Sequence, residues 1–316
     1  MAPVVGPGPL PRATVVVLVK DGARDLPDLA AALASQEIDG GLELLAVDSG
    51  SHDRSVEILH ERGARVLHVA PAAFDHGLTR NLAAREARSA VVVFLSQDAL
   101  PADARFVRAL VEALEADLRL AGVFARQLPR PEACALTRRD LAGWVAAQPD
   151  PRAVFLPDPE ALSALSPLER HRLLAFDDVA SAVRRDVVLA HPFESTRFGE
   201  DAEWAQRVLR LGFGIGYVPG ARVFHSHART ARGLFRRNYL GHRVLHRLFG
   251  LRTIPDVPHL VRASAGAMAS DLATLAREGA TASSWLAAPL QALAASYGQY
   301  RGARDEARGR PYPEWA

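Results

Sequence analysis

Acidic side chains recur directly after the apolar segments of this 316-residue sequence. Asp48 follows LELLAV, Asp98 follows AVVVFLSQ, and Glu200 and Asp201 open the segment EDAEWAQRVLR. Carboxylates can hold Mg²⁺ or Mn²⁺, accept hydrogen bonds from a ligand, or remove a proton from a reacting hydroxyl. In open α/β sheets ligands bind beyond the carboxyl ends of the strands, so we expect these side chains to meet at one edge.

Asp201 has the most unusual setting of the four. In a helix over residues 198–212, at about 100° per residue, Asp201 lies between Ala205 and Val208 in the middle of the apolar side. That side consists of Trp204, Ala205, Val208, Leu209 and Leu211, and the polar side of Glu203, Gln206, Arg207 and Arg210. An inward-pointing carboxylate needs a partner, a metal or a catalytic task. An ion pair with a buried arginine is the structural alternative.

A basic residue stands near the start of another predicted helix, in FDHGLTRNLAA. Asp75 or Thr79 can cap this helix, which places Arg80 and Asn81 in its first turn. An arginine at that point opposes the helix dipole unless an anion is bound, so the pattern favours phosphate binding. A surface salt bridge is the alternative.

The loops after the first two predicted strands also carry charge. Lys20 and Asp21 follow ATVVVLV, but no G-x-G-x-x-G motif is present, which argues against a dinucleotide site. Asp48, in VDSGSHD, is equally suited to binding a ribose or base and to closing an Asx-turn. Asp53 in the same string is better explained as an Asx-turn or helix cap.

Asp98 and two histidines are candidates for a metal site. Asp98 stands beside Gln97 in SQDALP, at the tip of an apolar strand, where it can hold Mg²⁺ or Mn²⁺ beside a diphosphate. A turn before Pro101 is the alternative. In a strand, alternate residues share a face, so His225 and His227 of H-S-H point the same way and suit a metal or a phosphate. One core histidine and one surface histidine is nearly as good an explanation.

The elements that position these residues alternate between strands and helices. The apolar runs ATVVVLVK, LELLAVDS, ARVLHVA and AVVVFLS predict strands, with helix-like segments between them, which is typical of a parallel sheet covered on both faces. AGVFARQL and ASAVRRDVVL predict further strands, and FGIGYVPGARVFHSH predicts a strand pair. Residues 129–176 are Pro-rich and weakly periodic, which indicates an insertion with short helices. After Arg229 the chain is predicted to be helical.

Composition excludes several classes of protein. Lys and Arg number 38 against 36 Asp and Glu, so a general nucleic-acid binder is not expected. A single cysteine, Cys134, rules out an intramolecular disulfide and favours a cytosolic protein; we expect a buried, inert thiol. The first 12 residues resemble a flexible lead-in and not a secretion signal, and no apolar run is long enough to span a bilayer.

Taken together, these strings resemble an inverting, nucleotide-sugar-dependent glycosyltransferase of family 2. The resemblance runs from about Thr14 to Arg237 and rests on VDSGSHDRSVEIL, FDHGLTRNLAA, FLSQDALP and FGEDAEWAQRVLRLGFGIGYVPGARVFHSH. Bacterial rhamnosyltransferases resemble the chain most, through HG-x-TRN, QDA-x-P and ED-x-EWA. The resemblance implies a GT-A fold: an α/β, Rossmann-like mixed sheet flanked by helices, followed here by a C-terminal helical extension.

The resemblance also implies a role for each candidate residue. Asp201 matches the presumed general base, with Glu200 orienting the acceptor or tuning the site. Asp98 matches the second acid of the metal-binding D-x-D motif, with His225 and His227 where some members place a metal or phosphate ligand. The candidates for nucleotide or diphosphate binding are Lys20, Asp21, Asp48, Arg80, Asn81, Gln97 and Arg236. Ser96 stands where many relatives carry the first D-x-D acid, so dependence on Mg²⁺ or Mn²⁺ is an open question.

The implied partners are a dTDP-, UDP- or GDP-sugar donor and a saccharide or lipid-linked acceptor, with no nucleic acid. Arg232, Arg236, Arg237, Arg243 and Arg247 make residues 232–250 basic and amphipathic. This segment could rest on the cytoplasmic face of an anionic membrane, although an ordinary docked helix explains it better. Arg236 or Arg237 could also close over the diphosphate, and the alanine-rich helices beyond Pro255 suit packing or a homo-oligomer surface.

We expect four segments: a lead over residues 1–12, a nucleotide-sugar-binding half over 13–125, an acceptor-binding and catalytic half over 126–229, and a helical extension over 230–316. Two other functions remain open from sequence. A nucleotidyltransferase would use a similar sheet and metal, but VKDGARDL lacks the Gly-rich, basic loop that a triphosphate requires. A non-catalytic nucleotide-sugar or carbohydrate-binding protein is favoured by Ser96 and disfavoured by the intact Glu200-Asp201 pair.

Overall fold

The computed structural model describes residues 10–156, 158, 162 and 164–315. Most of the expected N-terminal lead, residues 1–9, lies outside the described residues. The last residue of that segment, Arg12, is tied to the domain. Its Nε donates to Glu115 Oε1 at 2.9 Å and its backbone N–H to the Gly41 carbonyl at 3.0 Å.

Nine strands form one mixed sheet within the described residues. They are β1 (Ala13–Val19), β2 (Leu42–Asp48), β3 (Arg65–His68), β4 (Val91–Ser96), β5 (Leu100–Pro101), β6 (Leu120–Leu128), β7 (Arg152–Val154), β8 (Ala180–Arg184) and β9 (Gly214–Phe224). Their order is β3-β2-β1-β4-β8-β6-β9-β5, and β7 also pairs with β9. The first four strands in that order are parallel, as expected, and β8 runs antiparallel to both neighbours.

Helices cover both faces of the sheet. They are α1 (Leu26–Ala34), α2 (Ser55–Glu61), α3 (His76–Glu86), α4 (Phe106–Ala116), α5 (Ala135–Ala142), α6 (Pro167–Leu173), α7 (Arg185–Ala190), α8 (Glu200–Arg210), α9 (Ala231–Phe249), α10 (Val257–Glu278) and α11 (Ala282–Ala307). Successive residues of β1 enter different cores: Val15 and Val17 pack with α1 and α4, whereas Val16 packs with α3 and α8. None of the described helices combines the length and apolar composition that crossing a membrane requires.

Three local predictions differ from the structure. ASAVRRDVVL is strand only to Arg184, and α7 begins at the next residue, Arg185. FGIGYVPGARVF is a single strand, β9, not a pair, because Pro219 and Gly220 form a bulge opposite β6 in place of a hairpin turn. The insertion contains a short strand, β7, beside the expected short helices.

Three side chains, those of Leu211, Gln206 and Cys134, differ from the expectation in whether they are buried or exposed. Leu211 follows the end of α8 and is exposed, while Gln206 of the supposed polar side is buried. Cys134 is exposed, not buried, and Thr137 contacts its sulfur at 3.3 Å. Trp204, Ala205, Val208 and Leu209 form the buried side of α8 as predicted.

Two close approaches require glycine. A Cβ on Gly77, at the start of α3, would lie 2.3 Å from the Glu194 carbonyl oxygen. In α11, a Cβ on Gly298 or Gly302 would lie 2.6 Å from the Phe235 carbonyl oxygen or 2.2 Å from that of Tyr239. The backbones of α9 and α11 are therefore in direct contact.

Candidate active site

A cavity of about 450 Å³ opens at the carboxyl ends of β1 and β4. Lys20 lines it from the first strand, and Ser96, Gln97 and Asp98 line it from β4 and the turn that follows. His76 and Arg80, in the first turns of α3, face it from one side. The cavity thus lies where ligands bind in open α/β sheets.

Asp98, His225 and His227 form a cluster at the edge of this cavity. One potential ligand atom from each residue lies within 4.8 Å of the other two. Asp98 Oδ2 is 3.6 Å from His225 Nε2 and 3.7 Å from His227 Nδ1. Both histidines follow the end of β9, so neither lies in a strand. Both rings still face Asp98, but not for the predicted reason, which was that alternate residues of a strand share a face.

The donor atoms of this cluster suit a divalent metal. Burial and the neighbouring His225 and Arg237 lower the pKa of His227 to about 4, so its ring is neutral. Burial alone would raise the pKa of Asp98, but the two histidines outweigh it and the pKa is lowered. One carboxylate and two imidazole nitrogens are a ligand set found in metal sites. Ser96 stands at the position of the first D-x-D acid and offers a hydroxyl there, not a carboxylate.

Gln127 and Asp177 connect the cluster to the interior. His225 Nδ1 lies 2.8 Å from Gln127 Oε1, and Gln127 Nε2 donates to Asp177 Oδ2 at 2.6 Å. Trp144 Nε1 donates to the same carboxylate oxygen at 3.1 Å. Asp177 is followed directly by Asp178, so the backbone joins this hydrogen-bonded network to a second group of acids.

This second group surrounds Arg80. The Arg80 Nε lies 3.2 Å from Asp178 Oδ2, and its Nη1 donates to Glu200 Oε1. The Asp178 backbone N–H donates to Asp201 Oδ2 at 3.2 Å. Arg80, Asp178 and Glu200 are buried, and Asp201 is partly buried. Asp201 therefore faces inward as predicted, and Arg80 is paired with carboxylates, the alternative to an anion at this position.

One arginine does not balance these acids. Burial, together with the charges of Glu200, Asp178 and Asp177, raises the pKa of Asp201 well above the ordinary range of an aspartate. Burial likewise raises the pKa of Asp178 to about 6, in spite of the opposing charge of Arg80. The group therefore retains a proton at higher pH than exposed carboxylates do.

Several predicted nucleotide ligands are engaged by the protein's own backbone. Asp48 Oδ2 accepts from Gly50 N at 2.9 Å and its Oδ1 from Ser51 N at 3.1 Å, which is the Asx-turn alternative. Both amide atoms of Asn81 bond to the Phe193 backbone, at 2.8 and 2.9 Å. Asp75, not Thr79, caps α3, accepting from Leu78 N at 2.8 Å.

The loop after β1 is held in the same way. Gln97 accepts from Lys20 N and donates to Lys20 O, both at 3.0 Å. Asp21 has a φ of 46°, and its Oδ1 accepts from His52 N at 2.7 Å. Lys20 Nζ donates to the Gly50 carbonyl while the side chain lines the cavity. Among Lys20, Asp21 and Gln97, Lys20 is the one cation, and its side chain is placed to meet a ligand in the cavity.

The two arginines considered for the diphosphate lie in different places. Arg236 donates to the Trp315 carbonyl, and its guanidinium lies 5.3 Å from the centre of the Trp315 ring. Arg236 is therefore held at the C-terminus and does not line the cavity. Arg237 is close enough to His227 to lower its pKa. Arg237 is thus the arginine of α9 beside the Asp98 cluster.

Sequence reasoning missed Gln127, Asp177 and Asp178. Asp177 and Asp178 form a doubled acid just before β8, in FDDVA, at the end of the weakly periodic segment. Gln127 is one polar residue near the end of β6. The doubled acid was a usable signal, whereas nothing in the sequence distinguishes Gln127.

Solved structures of other proteins share this fold. The chain has the GT-A fold of nucleotide-sugar-dependent glycosyltransferases. A mannosyltransferase from Pyrobaculum calidifontis, solved with GDP-Man and Mn²⁺, aligns with a TM-score of 0.62 and 18% identity, over 98% of this chain and 91% of that one. Glucosyl-3-phosphoglycerate synthase from Mycobacterium tuberculosis, solved with Mg²⁺ and UDP, aligns with a TM-score of 0.52 and 20% identity, over 78% and 81% of the two chains.

Sequence comparison finds one matching family and two similar proteins. Residues 14–140 match the Glycosyl transferase family 2 model. The O-antigen chain rhamnosyltransferase RfbN of Salmonella typhimurium is 30% identical over 203 residues, 62% of this chain and 61% of the relative. The rhamnosyltransferase WbaN of Salmonella anatum is 30% identical over 206 residues, 62% and 60% of the two chains. The chain thus spans about three fifths of the length of these curated relatives.

Proposed function

We infer that the chain transfers a sugar from a nucleoside-diphosphate sugar to a hydroxyl of a saccharide or lipid-linked acceptor, with inversion at the anomeric carbon. The observation that carries this function is a set of short contacts between Asp98 and the acids around Arg80. His225 lies 3.6 Å from Asp98 and 2.8 Å from Gln127, Gln127 donates to Asp177, and Asp177 is the sequence neighbour of Asp178. A metal-type cluster at the edge of the cavity and Asp201, a carboxyl group with a raised pKa, thus lie on connected parts of the fold. The names of the Salmonella relatives favour rhamnose as the sugar.

Asp98, His225 and His227 would hold the metal. Mg²⁺ prefers oxygen ligands, whereas Mn²⁺ accepts imidazole together with carboxylate, so this set favours Mn²⁺. When bound, such an ion supplies positive charge beside the diphosphate as it leaves. Lys20 and Arg237 contribute further positive charge around the same position. Lys20 lines the cavity, and Arg237 lies beside His227.

Asp201 serves as the general base. An acceptor hydroxyl becomes a good nucleophile only when a base removes its proton, and such a base contributes about 10²–10⁴-fold to the rate. The pKa of Asp201 is raised by burial and by its acidic neighbours, which brings its basicity closer to that of a base working near neutral pH. Glu200 bonds to Arg80, so it tunes the charge around Asp201 and is not free to orient the acceptor.

The deciding experiment compares Asp201→Asn with Glu203→Gln. Glu203 lies on the same helix and pairs with Arg207 at 3.0 Å, so its substitution controls for changes to α8. Asp201→Asn should lower transfer by about 10²-fold or more while leaving nucleotide affinity within about twofold. Glu203→Gln should keep the wild-type rate. A wild-type rate for Asp201→Asn would remove the base assignment.

The donor is identified by thermal shift. The full chain is screened with dTDP, UDP and GDP, with their sugars, dTDP-rhamnose first, and with the corresponding triphosphates, each with and without Mn²⁺ or Mg²⁺. A ligand at about 100 times its Kd stabilises the folded state by about 2.7 kcal/mol, which is readily measured. Stabilisation by a nucleotide diphosphate that Mn²⁺ increases supports the function, whereas stabilisation by triphosphates alone would indicate a nucleotidyltransferase. Binding of donor without release of nucleoside diphosphate would indicate a non-catalytic protein.

A further inference from the structure

The helical hairpin of α10 and α11 presents an apolar surface to solvent. On α11, Leu286, Leu290, Leu293 and Tyr297 are all exposed, with Leu286 83% and Leu290 62% accessible. Their spacing of four, three and four residues places them on one side of the helix. Val257 and Val261, one turn apart on α10, are exposed as well. No charged residue occurs between Thr281 and Tyr300 in the sequence.

The same side of α11 becomes basic toward its C-terminal end. At about 100° per residue, Arg304 and Arg308 fall within about 60° of the exposed leucines. Together with Arg252 they line a cavity of about 340 Å³ between the start of α10 and the end of α11. Arg304 donates to Tyr300 Oη at 2.6 Å. Asp256, also in this cavity, is bonded to His259 at 2.6 Å.

The charges of the hairpin are unequally partnered. Each of its acids pairs with an arginine: Asp271 with Arg139 and Arg229, Glu278 with Arg138, Asp305 with Arg301 and Arg310, and Glu306 with Arg243. Arg252, Arg304 and Arg308 form no ion pair with a carboxylate in the part of the chain that the structure describes. From Thr230 to the C-terminus the sequence holds 12 arginines and 6 acids. The hairpin thus combines an apolar face with unpaired positive charge.

We propose that this face, formed by Leu286, Leu290, Leu293 and Tyr297 with Arg304 and Arg308, docks the protein on an anionic phospholipid surface. A helix lying in the interface buries apolar side chains among the acyl chains and sets its arginines against phosphate groups. Trp285 and Tyr297 are exposed on α11, and aromatic rings of this kind favour the boundary between lipid and water. The cavity beside Arg304 suits a lipid phosphate.

A second copy of this chain fits the exposed face of α11 less well than a bilayer does. In a twofold-symmetric contact the same face is buried on both subunits, so Arg304 and Arg308 would meet no free acid on the opposing face. A bilayer supplies the missing negative charge. Residues 232–250, for which the sequence favoured a docked helix over a membrane contact, are less suited to this role. Leu234, Tyr239, Val244 and Phe249 of α9 are buried, and Arg243 pairs with Glu306.

Vesicle sedimentation of the full chain tests the proposal. The protein should bind vesicles of phosphatidylglycerol and phosphatidylethanolamine, bind phosphatidylcholine vesicles weakly, and lose affinity as salt is raised. Leu286→Ser with Leu290→Ser should weaken binding by about tenfold or more, since two exposed apolar side chains are removed. Arg304→Gln with Arg308→Gln should weaken binding to the anionic vesicles by at least about tenfold and leave the residual binding to phosphatidylcholine unchanged.

Matched controls are available on the other parts of the chain. Leu118→Ser changes an equally exposed leucine, and Arg62→Gln an exposed arginine, and neither should alter vesicle binding. Circular dichroism and melting temperature confirm that each variant is folded, and donor hydrolysis in vesicle-free solution should be unchanged. Absence of binding to anionic vesicles at low salt, or wild-type binding to these vesicles by either double variant, would overturn the proposal. So would a dimer in light scattering that Leu286→Ser with Leu290→Ser dissociates.

Discussion

His225 Nδ1 lies 2.8 Å from Gln127 Oε1, while its Nε2 lies 3.6 Å from Asp98 Oδ2. The Asp177 carboxylate, which accepts from Gln127 Nε2, fixes the direction of the Gln127 amide. The amide oxygen can only accept, so Nδ1–H of His225 is the donor in this hydrogen bond and Nε2 is the ring nitrogen that faces Asp98. Gln127 in β6 thus sets the orientation of the His225 ring, beyond the end of β9.

Gln127→Leu should therefore weaken metal binding without removing a ligand. Loss of a hydrogen bond that orients a ligating histidine typically costs 10–100-fold in metal affinity. Titration calorimetry with MnCl₂ measures this directly and needs no donor or acceptor. Gln148→Leu is the control, because Gln148 bonds to the carbonyls of Ala142 and Trp144 away from His225. Equal Mn²⁺ affinity in the two variants would contradict the role given to Gln127.

The pH dependence of transfer should reflect the raised pKa of Asp201. A base works only when deprotonated, so the rate should fall as pH decreases through this raised pKa, and the acid limb should lie above the ordinary carboxylate range. Asp178→Asn removes a neighbouring negative charge, which lowers the pKa of Asp201 and moves the limb to lower pH. Asp186→Asn, in α7, should leave the profile unchanged. The measurement is the pH profile of kcat for each variant.

Arg80→Met should destabilise the fold and do so in a pH-dependent way. Removing one partner of a buried ion pair costs about 3–5 kcal/mol, because Glu200 and Asp178 are left without their cation. The pKa of Asp178 in the folded state, which Arg80 now holds down, then rises further above its unfolded value. The stability of the variant therefore decreases as pH rises, and the loss should be larger at pH 8 than at pH 5.

Denaturant unfolding at those two pH values measures the effect of Arg80→Met. Arg85→Met, an exposed substitution in the same helix, provides the reference. If the variant loses the same stability at both pH values, Arg80 does not stabilise the fold by neutralising the charge of these carboxylates.

Gly77→Ala should be costly for a different reason. The added Cβ would lie 2.3 Å from the Glu194 carbonyl oxygen, so a backbone segment must move. Overpacking of this kind costs about 1–3 kcal/mol. Gly241→Ala in α9 meets no atom within 4 Å and should instead stabilise the helix by about 1 kcal/mol. Melting temperatures of the two variants should move in opposite directions.

The sequence predicted the residues that mark the start or end of an element. Asp98 and Asp201 were found because a polar residue interrupts an apolar strand or an apolar helix side, which is a local signal. The doubled acid that includes Asp178 is visible in the sequence, but its contact with Arg80 is not, because that contact joins the segment before β8 to α3 across the fold. The same limit applies to Gln127, which has its role only through residues 50 and 98 positions away.

Local patterns also misled where two signals compete. Pro219 and Gly220 usually mark a turn, yet pairing with β6 on both sides of the bulge keeps β9 a single strand. The run ASAVRRDVVL is compatible with either secondary structure, and α7 begins where pairing with β4 ends at Arg184. In both places the outcome depended on a neighbouring strand that is distant in sequence.

The contact of Gly298 and Gly302 with the backbone of α9 bears on where the chain can be cut. A truncation after Gly250 would strip the cover from Tyr239 and Phe235 and remove Glu306, the partner of Arg243. Such a fragment should aggregate instead of yielding a minimal catalytic domain. Phe249 of α9 also belongs to the core that contains Trp204. For expression or domain grafting, α9, α10 and α11 therefore form one inseparable unit, and the whole C-terminal region should be kept.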